Sequence, residues 1–157
     1  MNGADYRAIA EAGNDVFLWV QNQTMYDEIL LSLDEPGYGV IHTSNFAYEF
    51  HNLSHYNVDG FPFHPNGSDF ALADRQSGSW ASFANFGHPS LAGETTLRGW
   101  TPAFQQNGGI DLYVIGGPHG GLSALDGPQA EQVVSDQKLR ERCGFLNSPE
   151  IIEQLDY

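Results

Sequence analysis

Asp5-Tyr6-Arg7-Ala8-Ile9-Ala10-Glu11-Ala12-Gly13, followed at once by Val16-Phe17-Leu18-Trp19-Val20, is the stretch that decides the fold. The first part predicts a short helix over Asp5–Ala12. Asp5 is placed to cap its start, Ile9 and Ala10 form an apolar side, and Gly13 suits its stop. The second part is an unbroken apolar run of strand length, as expected of a strand covered on both faces. A short helix feeding such a strand points to an α/β protein and away from an antiparallel sandwich.

Working outward, residues 21–38 are acidic with scattered apolar side chains, and read as a loop or irregular helix. Gly37-Tyr38-Gly39 turns into the short apolar segment Val40-Ile41-His42, which places His42 at the end of a strand or in the loop beyond it. From His51 to Ser68 the chain is rich in Asn, Gly, Pro and His and predicts a long loop. A helix is expected from about Asp69 to Ala84, with Ala73, Trp80, Phe83 and Ala84 near one face and Gly87 and Pro89 beyond its end. Gly93–Gly109 reads as loop and Ile110–Ile115 as a short strand. Pro128–Cys143 reads as a helix with Lys138, Arg140 and Arg142 in its last turn, where the helix dipole favours cations. Pro149–Leu155 is a final helical piece.

At 157 residues the chain has the length of one domain, and no internal repeat or low-complexity tract divides it. Twenty acidic against six basic residues give a formal charge of −14, which repels nucleic-acid phosphates and anionic lipid. No apolar run approaches the ~20 residues of a membrane helix. Neither nucleic acid nor membrane is therefore an expected partner. No signal peptide is visible at the N-terminus. Three Asn-X-Ser/Thr sequons, at Asn22, Asn52 and Asn66, nevertheless lie in turn-like polar surroundings and lean towards an extracellular protein. The single cysteine, Cys143, excludes an internal disulfide and is expected to be a free, buried small hydrophobe.

His42 is the first candidate for chemistry. Loops at the C-terminal ends of parallel strands are where α/β folds carry reactive groups, and an imidazole can accept and return a proton near neutral pH. Local context alone also suits an ordinary loop histidine. His51, His55 and His64 could be imagined around zinc, but their segment offers no Cys and no carboxylate at ligand spacing, so no metal is expected. His119-Gly120-Gly121 looks like an esterase oxyanion loop, yet its glycine-rich flanks read as a turn. Trp19, Trp80 and Trp100 read as packing aromatics.

Gly39-Val40-Ile41-His42, followed by Phe46-Ala47-Tyr48-Glu49-Phe50, resembles the Gly-Val-x-His segment of the type-B carboxylesterases, the cholinesterase-like branch of the α/β-hydrolases. Four further matches follow in that family's order. Trp80–Pro89 resembles a Trp-x-x-Phe-Ala-x-x-Gly-x-Pro segment, and Gly99-Trp100-Thr101-Pro102 its Trp-Pro turn. Ile110-Asp111-Leu112 resembles its short strand, and Glu141–Leu146 its Arg-Cys-x-Phe stretch.

The resemblance implies one C-terminal segment of an α/β-hydrolase fold spanning 1–157, with few strands, several helices, long loops and an incomplete sheet. It also implies that His42 is the catalytic histidine of a serine esterase acting on a small ester without a cofactor. The chain would then supply the histidine, one or two strands and part of a pocket wall.

Three departures qualify this. The Gly-x-Ser-x-Gly elbow is absent from these residues, and it belongs before the histidine in α/β-hydrolases. The chain alone is thus expected to be inactive, with a complementing polypeptide or preceding segment supplying nucleophile and acid. Where the family carries Glu or Asp three positions after its histidine, Asn45 stands. The cysteine that would pair with Cys143 in the family has no counterpart near Asp5. A catalytically dead esterase-like protein acting as an interaction module is the alternative expectation.

Overall fold

The computed structural model describes residues 3–56, 63–104, 110–117, 121–124 and 138–155. Helix α1 (Gly3–Glu11) is followed by strand β1 (Trp19–Gln21), helix α2 (Asp27–Ser32), the one-turn helix α3 (Phe46–Glu49) and a 3₁₀ turn at Leu53–Tyr56. Then come the long helix α4 (Gly67–Phe86), strands β2 (Asp111–Ile115) and β3 (Gly121–Ala124), and helices α5 (Leu139–Leu146) and α6 (Pro149–Leu155).

The described strands form one sheet in the order β1-β2-β3. β1 runs parallel to β2, with Trp19 opposite Tyr113 and Gln21 opposite Ile115. Such a pair needs a crossover, and α4 lies within the connection. β3 then folds back antiparallel on β2. This is an α/β arrangement, as the helix-then-strand stretch predicts.

Val16–Val20 departs from expectation. Only Trp19 and Val20 of that run belong to a regular strand, and all five residues are half-buried. The backbone still engages earlier, because Val16 O accepts from Ala103 N at 2.7 Å and Leu18 O from Tyr113 N at 3.0 Å. β1 sits at the edge of the described sheet, with β2 on one side and no described strand on the other.

α4 starts and stops where its termini dictate. Asn66 accepts from the backbone N–H of Ser68 and Asp69, while the Asp69 carboxylate accepts from Asn66 N, closing a capping box. Gly87, at φ 76°, ends it in the left-handed conformation. Its buried stripe is Asp69, Leu72, Ala73, Gln76, Ser79 and Ser82, whereas Trp80 is half-buried and Phe83 and Ala84 are exposed. The expected face is rotated because polar side chains on α4 find partners inside. Gln76 donates to Gln21 Oε1 at 3.1 Å, Ser79 accepts from Leu97 N at 2.8 Å, and Ser82 donates to His88 O at 2.6 Å.

The core gathers Tyr48, Leu53, Leu72, Ala73, Trp100 and Ile115 between α3, α4 and the sheet. The three tryptophans do pack together. Trp19 and Trp80 meet edge-on at 5.3 Å, Trp80 and Trp100 lie tilted at 5.4 Å, and Trp100 stacks on Tyr113 at 4.9 Å.

The C-terminal helix differs from its sequence reading. Residues 125–137 lie outside the described residues, and Lys138 has φ 50°, a left-handed conformation that no helix continues through. α5 begins after it, so the basic cluster stands at the start of a helix instead of its last turn. Cys143 is exposed, not buried, on a helix whose visible flank also exposes Phe145 and Leu146.

Candidate functional site

Val40–His42 forms no strand. His42 lies in a turn spanning 42–45, and its side chain is exposed. Gly39 at φ 60° and Thr43 at φ 69° bend the chain on either side of it. For Thr43, a β-branched residue, that conformation is costly, on the order of 1–3 kcal/mol, and needs surrounding contacts to hold it.

Those contacts come from the next residues. Ser44 is fully buried, and both its N–H and its hydroxyl donate to Ile41 O, at 3.1 and 2.7 Å. Phe46 N donates to Thr43 O at 3.0 Å, starting α3. Asn45, where the resemblance expects a carboxylate, donates its amide to Glu49 Oε1 at 2.7 Å. A carboxylate is thus held one helical turn further on.

α3 is anchored through Ala47 and Tyr48, both 0% exposed. The Tyr48 hydroxyl donates to Asp69 Oδ1 at 2.8 Å, and burial, then the Asp69 hydrogen bond, hold its pKa well above the ordinary phenol value. Asp69 also accepts from Gln23 Nε2 at 2.8 Å. The turn bearing His42 is therefore tied through Tyr48 and Asp69 to the chain leaving the C-terminal end of β1. Sequence reading did not single out Tyr48, Asp69 or Gln23. The Asn66-x-x-Asp69 spacing was the available signal for the carboxylate.

Beside this turn, a cleft of about 780 Å³ opens at the C-terminal end of β1, lined by Gln21, Asn22, Thr24, Tyr38, Val40 and Arg142 among others. Crevices at that end of parallel strands are where α/β proteins bind ligands. His42 itself is two residues beyond Val40, and no hydrogen bond joins its ring to a described residue.

The other candidates separate. His51 contacts Asp74 Oδ1 through Nε2 at 2.7 Å, an exposed pair linking the end of α3 to α4. His55 and His64 are exposed, and no cluster of three metal-ligating side chains occurs among the described residues. His119 and Gly120 lie outside them, while Gly121 opens β3, a strand the sequence reading did not expect. Among the described residues no helix is long and apolar enough to cross a membrane.

This is an α/β segment that carries an exposed histidine on a braced turn beside a strand-end cleft. The chain is similar to a secreted lipase of Arthroderma benhamiae, with 38% identity over 148 residues, 94% of its length. The similarity makes the chain lipase- or esterase-related in origin. The chain spans about a quarter of the length of that relative. No protein-family profile matches the chain, and no solved structure does.

Proposed function

We propose that this chain is the histidine-bearing C-terminal segment of a secreted carboxylic-ester hydrolase of the type-B carboxylesterase family, and that His42 is its general base. The observation that carries the reading is the 38% identity to a secreted lipase along nearly the whole chain. The placement of His42 supports it, since the ring is open to solvent on a turn that buried groups brace from behind.

In this reading a serine outside these residues attacks the ester carbonyl. His42 takes the serine proton and then gives it to the departing alcohol, while backbone amides outside the chain hold the oxyanion. A carboxylate, also from outside, fixes the imidazole tautomer. No cofactor takes part. Without those partners the chain alone does not turn over esters.

The test is to seat this chain in place of the matching quarter of the Arthroderma lipase and assay a short p-nitrophenyl ester. The reading predicts hydrolysis by the chimera and none by the isolated chain. Hydrolysis by the isolated chain would show a nucleophile within it. A folded but inactive chimera would favour an interaction module.

A further inference from the structure

Each of the three sequons presents its asparagine to a different environment, and the sugar must be attached through the side-chain nitrogen. At Asn22 that nitrogen faces the turn after β2. A Cβ placed on Gly117 would lie 2.6 Å from Asn22 Nδ2, and Gly117 itself is held at φ 72° in the turn after β2. Asn22 N also donates to Ile115 O at 2.8 Å, which pins the residue against the sheet. At Asn52 the residue is half-buried, its N–H donates to Ala47 O at 3.0 Å, and its Oδ1 is enclosed without a partner among the described residues. A glycan at either position displaces native packing.

Asn66 is different. Its side chain is exposed, as are Gly67 and Ser68, the rest of its sequon. Every hydrogen bond of its side chain uses the oxygen. Oδ1 accepts from Ser68 N at 2.8 Å, Asp69 N at 3.3 Å and Ser68 Oγ at 2.7 Å. Nδ2 makes no hydrogen bond among the described residues. The cap of α4 and an N-linked sugar therefore make no competing demand on the same atom, and the cap fixes the direction in which Nδ2 leaves the surface.

We infer that Asn66 is the N-glycosylation site of this protein and that Asn22 and Asn52 stay unmodified in its folded form. The inference rests on the secretory part of the proposed function, not on its chemistry. The donor is a lipid-linked oligosaccharide pyrophosphate. Asn66 Nδ2 forms the bond to the anomeric carbon and loses one proton, the anomeric carbon–oxygen bond breaks, and the lipid pyrophosphate departs. No electron is gained or lost. A large polar group at the start of α4 then covers a surface where Phe70 is 40% exposed.

The test expresses the chain behind a heterologous secretion signal in a eukaryotic host, so that entry to the secretory path is assured whatever its natural location. Ser68→Ala removes the sequon hydroxyl and keeps the Asn66 cap, while Ser68→Thr keeps both. The expected result is a single glycoform removed by peptide N-glycosidase, lost in Ser68→Ala and retained in Ser68→Thr. Mass spectrometry should place the sugar on Asn66, with Asn22→Gln and Asn52→Gln leaving the mass shift unchanged. A shift that survives Ser68→Ala, a sugar at Asn22 or Asn52 in folded protein, or no sugar at all would overturn the inference. None of these outcomes bears on His42, whose test is enzymatic.

Discussion

Tyr48 anchors the short helix that follows the turn bearing His42. It is fully buried and donates to a carboxylate that is itself 3% exposed. Hydrogen bonds to charged acceptors contribute about 1.5–3 kcal/mol, so Tyr48→Phe should destabilise the fold by roughly that amount in urea unfolding. A pH effect follows from the same burial. The pKa values of Tyr48 and Tyr113 are raised in the folded state, each chiefly by burial. Unfolded tyrosines ionise near pH 10 while these stay protonated, so the unfolded state binds fewer protons there and stability falls as pH rises past about 10. Unfolding midpoints measured between pH 8 and 11 should show that decline, and Tyr48→Phe should flatten it without abolishing it, because Tyr113 remains. A midpoint that is constant across the range would remove this account of the Tyr48–Asp69 bond.

Among the elements, α4 shows both what was legible in the sequence and what was not. Its existence and its stop at Gly87 followed from local chemistry, and so did α1, β2 and α6, since caps, turns and short apolar runs act over a few residues. Its inward face did not. Apolar counting favoured Trp80, Phe83 and Ala84, but burial is decided by partners brought from Gln21, His88 and Leu97, and no local pattern encodes those. β3 was missed for a related reason, since its four residues are defined by pairing with β2. The loop placement of His42 was legible in the Gly37-Tyr38-Gly39 turn before it, whereas the brace formed by Tyr48, Asp69 and Gln23 is a tertiary fact. α4 also carries a clear packing limit. A Cβ at Gly78 would lie 2.0 Å from Thr95 O. Alanine gains about 1 kcal/mol of helix propensity there, but overpacking against backbone costs about 1–3 kcal/mol and more when nothing can yield. Gly78→Ala should therefore lower the thermal midpoint, and a raised midpoint would mean that the 91–99 loop is not seated on α4.

For the whole molecule, two features oppose one another. One edge of β1 faces no described strand, and Leu31, Phe50, Phe86 and Phe145 are each more than half exposed. Open edges and apolar patches promote association. The charge of −14 resists it, but only over a Debye length of about 10 Å at 0.1 M salt. The isolated chain should accordingly self-associate at micromolar concentration, and more so at about 0.5 M salt. Sedimentation as a 17.3 kDa monomer that unfolds cooperatively at both salt levels would instead describe a self-sufficient domain.

His42 is proposed above as the proton-transferring group of an ester hydrolase. The most direct measurement is kcat/KM for a p-nitrophenyl ester in the lipase chimera, comparing His42→Ala with His51→Ala. His51 serves as control because it pairs with Asp74 on the surface and has no part in the proposed chemistry. His42→Ala should lose at least about a thousandfold with an unchanged thermal midpoint, and His51→Ala less than about tenfold. Full activity in a folded His42→Ala chimera would contradict it.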